Sequence, residues 1–256
     1  MHADGLFNYA TLLGFLYTLA RISCVFAFLP IAAFKGAPEA AKIVLSLAFT
    51  LILWPQWKAP VSADASLGRI VVGLAGEAGL GFAIGLALAI VLEVFQVAAQ
   101  VVSLQAGFGF ASTIDPNSGA DSTVLLTLAQ LTAGLLFFAT GADRMLVRAL
   151  ADSLRLCPPE SFALKRSWAQ ALIQFAASIF TNGLRLAAPI VALLLLADGA
   201  LAVLGRVQSQ IHLISLTMPV KLCAAMLLSA LTLVYQPRYF EDMMTKSIRL
   251  IEGILR

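Results

Sequence analysis

The chain has 256 residues, of which 60% are hydrophobic and 12% charged, with a formal net charge of +3 and a mean hydropathy of +0.91. A soluble domain carries about 25% charged residues, so the composition excludes a soluble globule and points to an integral membrane protein. The small charge comes without a basic run, which gives nucleic acid no footing, and the dispersed Cys24, Cys157 and Cys223 give neither a disulfide frame nor a metal knuckle.

The length leaves room for about six apolar blocks of roughly 20 residues, expected to form a single membrane domain. The first runs from Leu6 to about Phe34, with no basic region ahead of it, and is expected to be retained as a span. Arg21 inside it is costly at membrane depth, so it needs a protein partner, with helix pairing the simplest use. Pro30 ends or kinks this block, and the connector around Lys35-Gly36-Ala37-Pro38 leads to a second run, Ile43 to Trp54. At about 18 Å as a helix, that run is too short to span and suggests a re-entrant or partly buried hairpin arm.

Residues 69 to 106 carry the longest helical pattern, which as one helix reaches roughly 55 Å; it must kink, tilt or protrude from a bilayer. Its first half contains Gly73, Gly76, Gly79, Gly81 and Gly85 around Glu77. Gly81 and Gly85 have the G-x-x-x-G spacing that lets helices approach closely, so this half predicts a contact face. Glu77, like Arg21, is expected to be satisfied by protein. The second half puts Glu93, Gln96, Gln100 and Ser103 on one face, either lining a watery path or hydrogen-bonding neighbouring helices.

The stretch 104 to 122, LQAGFGFASTIDPNSGADS, interrupts the apolar pattern. Gly107 and Gly109 flank Phe108, Phe110 follows, and Asp115-Pro116-Asn117-Ser118-Gly119 is turn chemistry through which no helix runs. After it come an apolar block, Val124 to Ala139, and a charged helix with Asp143, Arg144, Arg148, Asp152 and Arg155, read as a solvated helix end. The block from Trp168 to Leu204 is again too long for a simple span and contains Asn182, Arg185, Pro189 and Asp198, so a kink near Pro189 is expected. A last apolar run, Leu213 to Val234, is followed by an amphipathic C-terminal helix. Under a six-block topology, eleven Lys and Arg fall on the side of both termini and four (Lys35, Lys42, Arg206, Lys221) on the other. The positive-inside rule then places the termini in the cytoplasm and the Asp115 turn outside.

Enzyme chemistry finds no support. His2 and His212 are the only histidines, and no H-E-x-x-H, G-x-S-x-G or G-x-x-x-x-G-K-[ST] motif is present. No cofactor or metal is expected; Asp115, Asn117 and Asp121 echo a calcium loop, but Gly119 is misplaced and Leu126 stands where a bidentate Glu belongs.

Across nearly its whole length the chain resembles a known family. QAGFGFASTIDPNSGADSTVL, the Arg21, Pro30, Pro38 and Pro55 punctuation, the glycines around Glu77, and the late stretch in which Arg206, Gln210, His212, Pro219 and Lys221 recur are similar to the FliR family of flagellar export-gate proteins, related to the SctT proteins of virulence type III secretion. One departure is Ser209-Gln210-Ile211-His212, where the family usually has a Pro-Gln-x-Asn run.

The resemblance implies an all-α integral membrane protein of kinked helical hairpins, a FliP-like part (about 1–158) followed by a FliQ-like hairpin (about 159–256). It implies one copy assembled with FliP and FliQ subunits, near FlhB, in an inner-membrane pore at the flagellar basal body that passes unfolded flagellar subunits. Gly107, Phe108, Gly109, Phe110, Asp115, Pro116 and Gly119 would then belong to a pore plug, while Arg21, Glu77, Gly81, Gly85, Arg206 and Gln210 would serve subunit packing. The competing reading is a secondary transporter of ions or small solutes, with Glu93, Arg185 and Asp198 as midplane sites; no internal repeat supports it.

Overall fold

The structure, a computed structural model, describes residues 9–29, 39–53, 66–108, 124–159, 166–207 and 213–255. Among these residues there are eight α-helices and no strand: α1 (Tyr9–Phe28), α2 (Glu39–Ile52), α3 (Leu67–Ala106), α4 (Val124–Ala139), α5 (Ala142–Leu156), α6 (Arg166–Val207), α7 (Leu213–Thr232) and α8 (Gln236–Leu255). The chain is an all-α membrane protein. Helices α1, α3 and α6 are each long and apolar enough to cross a bilayer, and α4 with α5 and α7 with α8 are bent pairs whose length and composition fit a broken span or a re-entrant loop. The short second block is a helix of 14 residues. The two overlong blocks are helices of 40 and 42 residues, about 60 Å each, and the second runs on through Pro189. A proline there removes the hydrogen bond that the Arg185 carbonyl would otherwise accept.

The chain divides into two compact units. The first contains residues up to Val91, Phe137–Ala176 and Glu241–Arg256; the second contains Leu92–Leu136 and Ala177–Phe240.

In the first unit, α1 lies along the glycine face of α3. One row of α1, Tyr17, Arg21 and Val25, meets one row of α3, Gly73, Glu77, Gly81 and Gly85, each row rising by four residues. A Cβ built on Gly73 would stand 2.7 Å from the Tyr17 hydroxyl, one on Gly81 would overlap the Arg21 carbonyl oxygen, and one on Gly85 would lie 3.0 Å from the Val25 carbonyl oxygen. Contacts rise together along both rows, so the helices run parallel. The expected contact face is thus occupied by a helix of the same chain, and close approach is possible because there is no side chain at those positions. Gly79 has nothing within 4 Å and plays no such part. Phe28 packs edge-on to Phe82, ring centres 4.6 Å apart, and Phe26 packs on Phe49 of α2 at 5.2 Å. The charged helix α5 is amphipathic, burying Leu146, Ala149, Leu150, Ser153 and Leu154. From α8, Met243, Met244 and Ile251 are buried, and the Ser247 hydroxyl donates to the Ala87 carbonyl at 2.9 Å.

In the second unit the end of α3 packs with α4, α6 and α7 in a core that includes Ala98, Val102, Ala106, Leu125, Ala187, Ile190, Leu194 and Ala225. Gly183 admits α6 close to α3: a Cβ there would stand 2.7 Å from a Val97 methyl. Phe95 packs against Tyr239 and Phe240, and the Tyr239 hydroxyl reaches the Asn182 carbonyl at 3.1 Å. Much of α6 remains uncovered: Leu193, Leu195, Leu196, Val203 and Leu204 are exposed. Apolar surface of that kind meets lipid or other protein chains rather than water.

Candidate functional site

The end of α3 is fixed by the backbone. Gly107 has φ +88°, its N–H donates to the Leu104 carbonyl at 3.2 Å, and the Phe108 N–H donates to the Ser103 carbonyl at 3.0 Å. This pair of bonds, closed over a left-handed glycine, is the Schellman stop, and it satisfies carbonyls that the helix end would leave orphaned. The Phe108 ring completes it by packing on the core of the second unit.

Two residues before the stop, the Gln105 amide donates to Asp198 Oδ2 at 2.9 Å. Asp198, on α6, also takes Lys221 of α7, whose Nζ lies 3.0 Å from Oδ2 and 2.9 Å from Oδ1. One carboxylate thereby ties together the end of α3, the late part of α6 and the early part of α7. The node is half open, with the Asp198 side chain 35% exposed and that of Lys221 14%. Asp198 is the one acid of α6 and Lys221 the one charge of α7, and opposite charges in such apolar helices gain most by meeting. An acid in one apolar helix and a lysine in the next is the sequence signal for such a pair; it does not say that the two meet.

The polar stripe of α3 divides. The Gln96 amide donates to Glu93 Oε1 at 2.7 Å, and Gln130 of α4 donates to Gln96 Oε1 at 2.8 Å. These three form a hydrogen-bonded run between helices. Gln100 is exposed, whereas Ser103 is buried. Gln130, which no sequence pattern singled out, completes the run.

A second charged node lies in the first unit. Arg21 and Glu77 are both buried, with the guanidinium Nε and Nη2 each 2.6 Å from Glu77 Oε2. Nη1 donates to the Ser153 hydroxyl at 3.2 Å and Nη2 to the Cys157 carbonyl at 2.9 Å. Cys157 is the C-cap of α5, so the cation also sits at the negative end of that helix. Its thiol in turn lies 3.6 Å from the Leu255 carbonyl of α8. Both charges thus have their partners within the chain.

Of the remaining expected site residues, Arg206 is exposed in the last turn of α6, and Arg185, exposed on α6, takes no part in the Asp198 node. Gly109, Phe110, Asp115, Pro116, Gly119 and Gln210 lie outside the described residues. Among the described residues no group of three or more His, Cys, Asp or Glu is arranged to hold a metal ion. The polar side chains described above join helices: the bonds of the two nodes run between elements.

A family model described as bacterial export proteins, family 1, matches residues 12–247. The chain is similar to the flagellar biosynthetic protein FliR of Escherichia coli (strain K12), 27% identical over 94% of this chain and 92% of that protein. It is also similar to the FliR of Bacillus subtilis (strain 168), 23% identical over 84% of this chain and 83% of that protein. The surface presentation of antigens protein SpaR of Salmonella typhimurium is 28% identical over 83% of this chain and 80% of its own length.

Proposed function

The chain belongs to the bacterial export proteins of family 1, and from that premise we infer that it is a component of a flagellar type III protein export gate in the bacterial inner membrane, at the basal body. The observation that carries this reading is the end-to-end similarity to flagellar FliR proteins. In it the chain assembles with FliP and FliQ subunits, near FlhB, around a pore that passes unfolded flagellar subunits. Residues up to about 158 form the FliP-like part and those from about 159 the FliQ-like hairpin. The uncovered apolar face of α6 supports assembly, because it offers a long surface that neighbouring helices can cover.

Residues 107 to 121 are the plug in this reading. A pore wide enough for a polypeptide leaks ions unless something closes it at rest, and that closure must move without unfolding the helices beside it. The Schellman stop at Gly107 and the Gln105–Asp198 bond hold the root of the segment firmly. Glu93, Gln96 and Gln100 lie on the helix leading to it and offer polar groups beside the path.

Deleting residues 110 to 119 is expected to leave the complex assembled with its partner subunits and to raise its conductance in planar bilayers. Equal, low conductance in deleted and intact complexes would discard the plug. A chain that recovers no partner subunits from native membranes, and by itself takes up a small solute, would discard the gate.

A further inference from the structure

The first unit contains a cavity of about 570 Å³ bounded by α1, α2, the last residues of α4 and the first half of α5. Its walls are apolar and aromatic, with Phe26, Phe49 and Phe137 among them, and it has charges only on the α5 side, from Asp143, Arg144 and Arg148. Arg144 and Arg148 are one helical turn apart, so they share a face. Both are exposed, and among the described residues neither enters an ion pair. Asp143 Oδ1 is buried with no hydrogen-bond partner. A buried carboxylate oxygen without a donor is costly, and such a group calls for a missing partner.

We propose that this cavity binds a zwitterionic phospholipid with a primary amine in its headgroup, of the phosphatidylethanolamine class. An acyl chain fills the aromatic cavity, the phosphate takes the guanidinium groups of Arg144 and Arg148, and the ammonium pairs with the Asp143 carboxylate. Each part answers a separate observation. A wall of this composition rejects a polar solute, and the helices that build it belong to a membrane protein, where acyl chains are the surrounding solvent. Two neighbouring guanidinium groups match phosphate in charge and in hydrogen-bond geometry. A glycerol headgroup has hydroxyls to offer the Asp143 carboxylate but no cation, and its net negative charge adds repulsion there. A choline headgroup has no N–H to donate.

The site lies beyond the export reading and is tested without any exported protein. The purified full-length chain, with the subunits that accompany it, is reconstituted in vesicles of equal parts phosphatidylethanolamine, phosphatidylglycerol and phosphatidylcholine. It is then extracted in mild detergent, and the retained lipids are identified by native mass spectrometry. Phosphatidylethanolamine is expected to be enriched about fivefold or more over each of the others. The exposed pair changed together, Arg144→Gln with Arg148→Gln, lowers its retention by roughly tenfold. Asp143→Asn abolishes the preference for ethanolamine over choline while phospholipid is still retained. Arg155→Gln, on the same helix but outside the cavity, changes nothing. Retention in bulk proportions, a preference for phosphatidylglycerol, equal loss in Arg155→Gln, or accompanying subunits with no retained lipid would each overturn the proposal.

Discussion

The two charged nodes use the same chemistry in opposite ways. Arg21 and Glu77 are shut away, 0% and 1% exposed at the side chain, with the guanidinium donating to a carboxylate, a hydroxyl and a helix-end carbonyl. Asp198 and Lys221 remain partly open, 35% and 14% exposed, with Gln105 as a further partner of Asp198. A fully enclosed pair is costly to desolvate and worse to break, since either charge left alone has no water to turn to. A half-open pair loses little when broken. The first node therefore ties its unit more tightly than the second ties the end of α3.

Breaking the closed node gives the largest expected effect. Arg21→Met or Glu77→Leu alone should destabilise the purified protein by about 3–5 kcal/mol, followed by thermal unfolding in detergent, and the double variant should recover most of that loss. Singles and double that are equally unstable would show that the charges are not the coupled element. Next comes the glycine row: Gly81→Ala drives a methyl into the Arg21 backbone and should cost about 1–3 kcal/mol, whereas Gly79→Ala, with open space around it, should be neutral or gain up to about 1 kcal/mol in helix propensity. Equal responses at the two positions would remove the close approach of α1 as the reason for the row.

The second unit should answer more softly. Gly107→Ala places a side chain in the left-handed region and is expected to cost about 1–2 kcal/mol, measured in the same unfolding assay, with Gly107→Asn falling between the two. The smallest effect belongs to the half-open pair. A double-mutant cycle of Asp198→Asn and Lys221→Met should give a coupling of about 0.6 kcal/mol. On the proposed gate reading, Asp198→Asn nonetheless raises the resting conductance of the complex. A coupling as large as that of Arg21 with Glu77 would erase the contrast between the nodes.

Much of the first unit was legible in the sequence because its signals are local or compositional. Glycines at 73, 81 and 85 mark close approach wherever they fall on one helix row, and an arginine in an apolar block demands a partner. The sequence did not identify that partner: Glu77 is 56 residues away, and periodicity reports which residues share a face but not which face of another helix meets it. The same limit hid the bonds of Gln105 and Lys221 to Asp198 and the role of Gln130. Block lengths translated well into helices of 14, 40 and 42 residues, since apolar pattern and the lack of breakers are local properties. Helix α5 was harder. Its charges suggested a solvated end, yet Leu146, Leu150 and Leu154 on its other face are buried, because one helix can offer water and core opposite sides.

The bonds of Arg21 also impose an order in time on the making of the protein. Its partners lie 56, 132 and 136 residues further along the chain, and a ribosome delivers them in that sequence. When α1 emerges it carries an arginine whose insertion cost, about 2.5–3.5 kcal/mol at a helix centre, nothing yet offsets. Glu77 supplies the counter-charge once α3 has followed, and the hydroxyl of Ser153 and carbonyl of Cys157 arrive only when α5 is complete. A nascent chain stalled before residue 77 should therefore leave α1 easily extracted from the membrane, and one stalled beyond residue 157 should hold it fast.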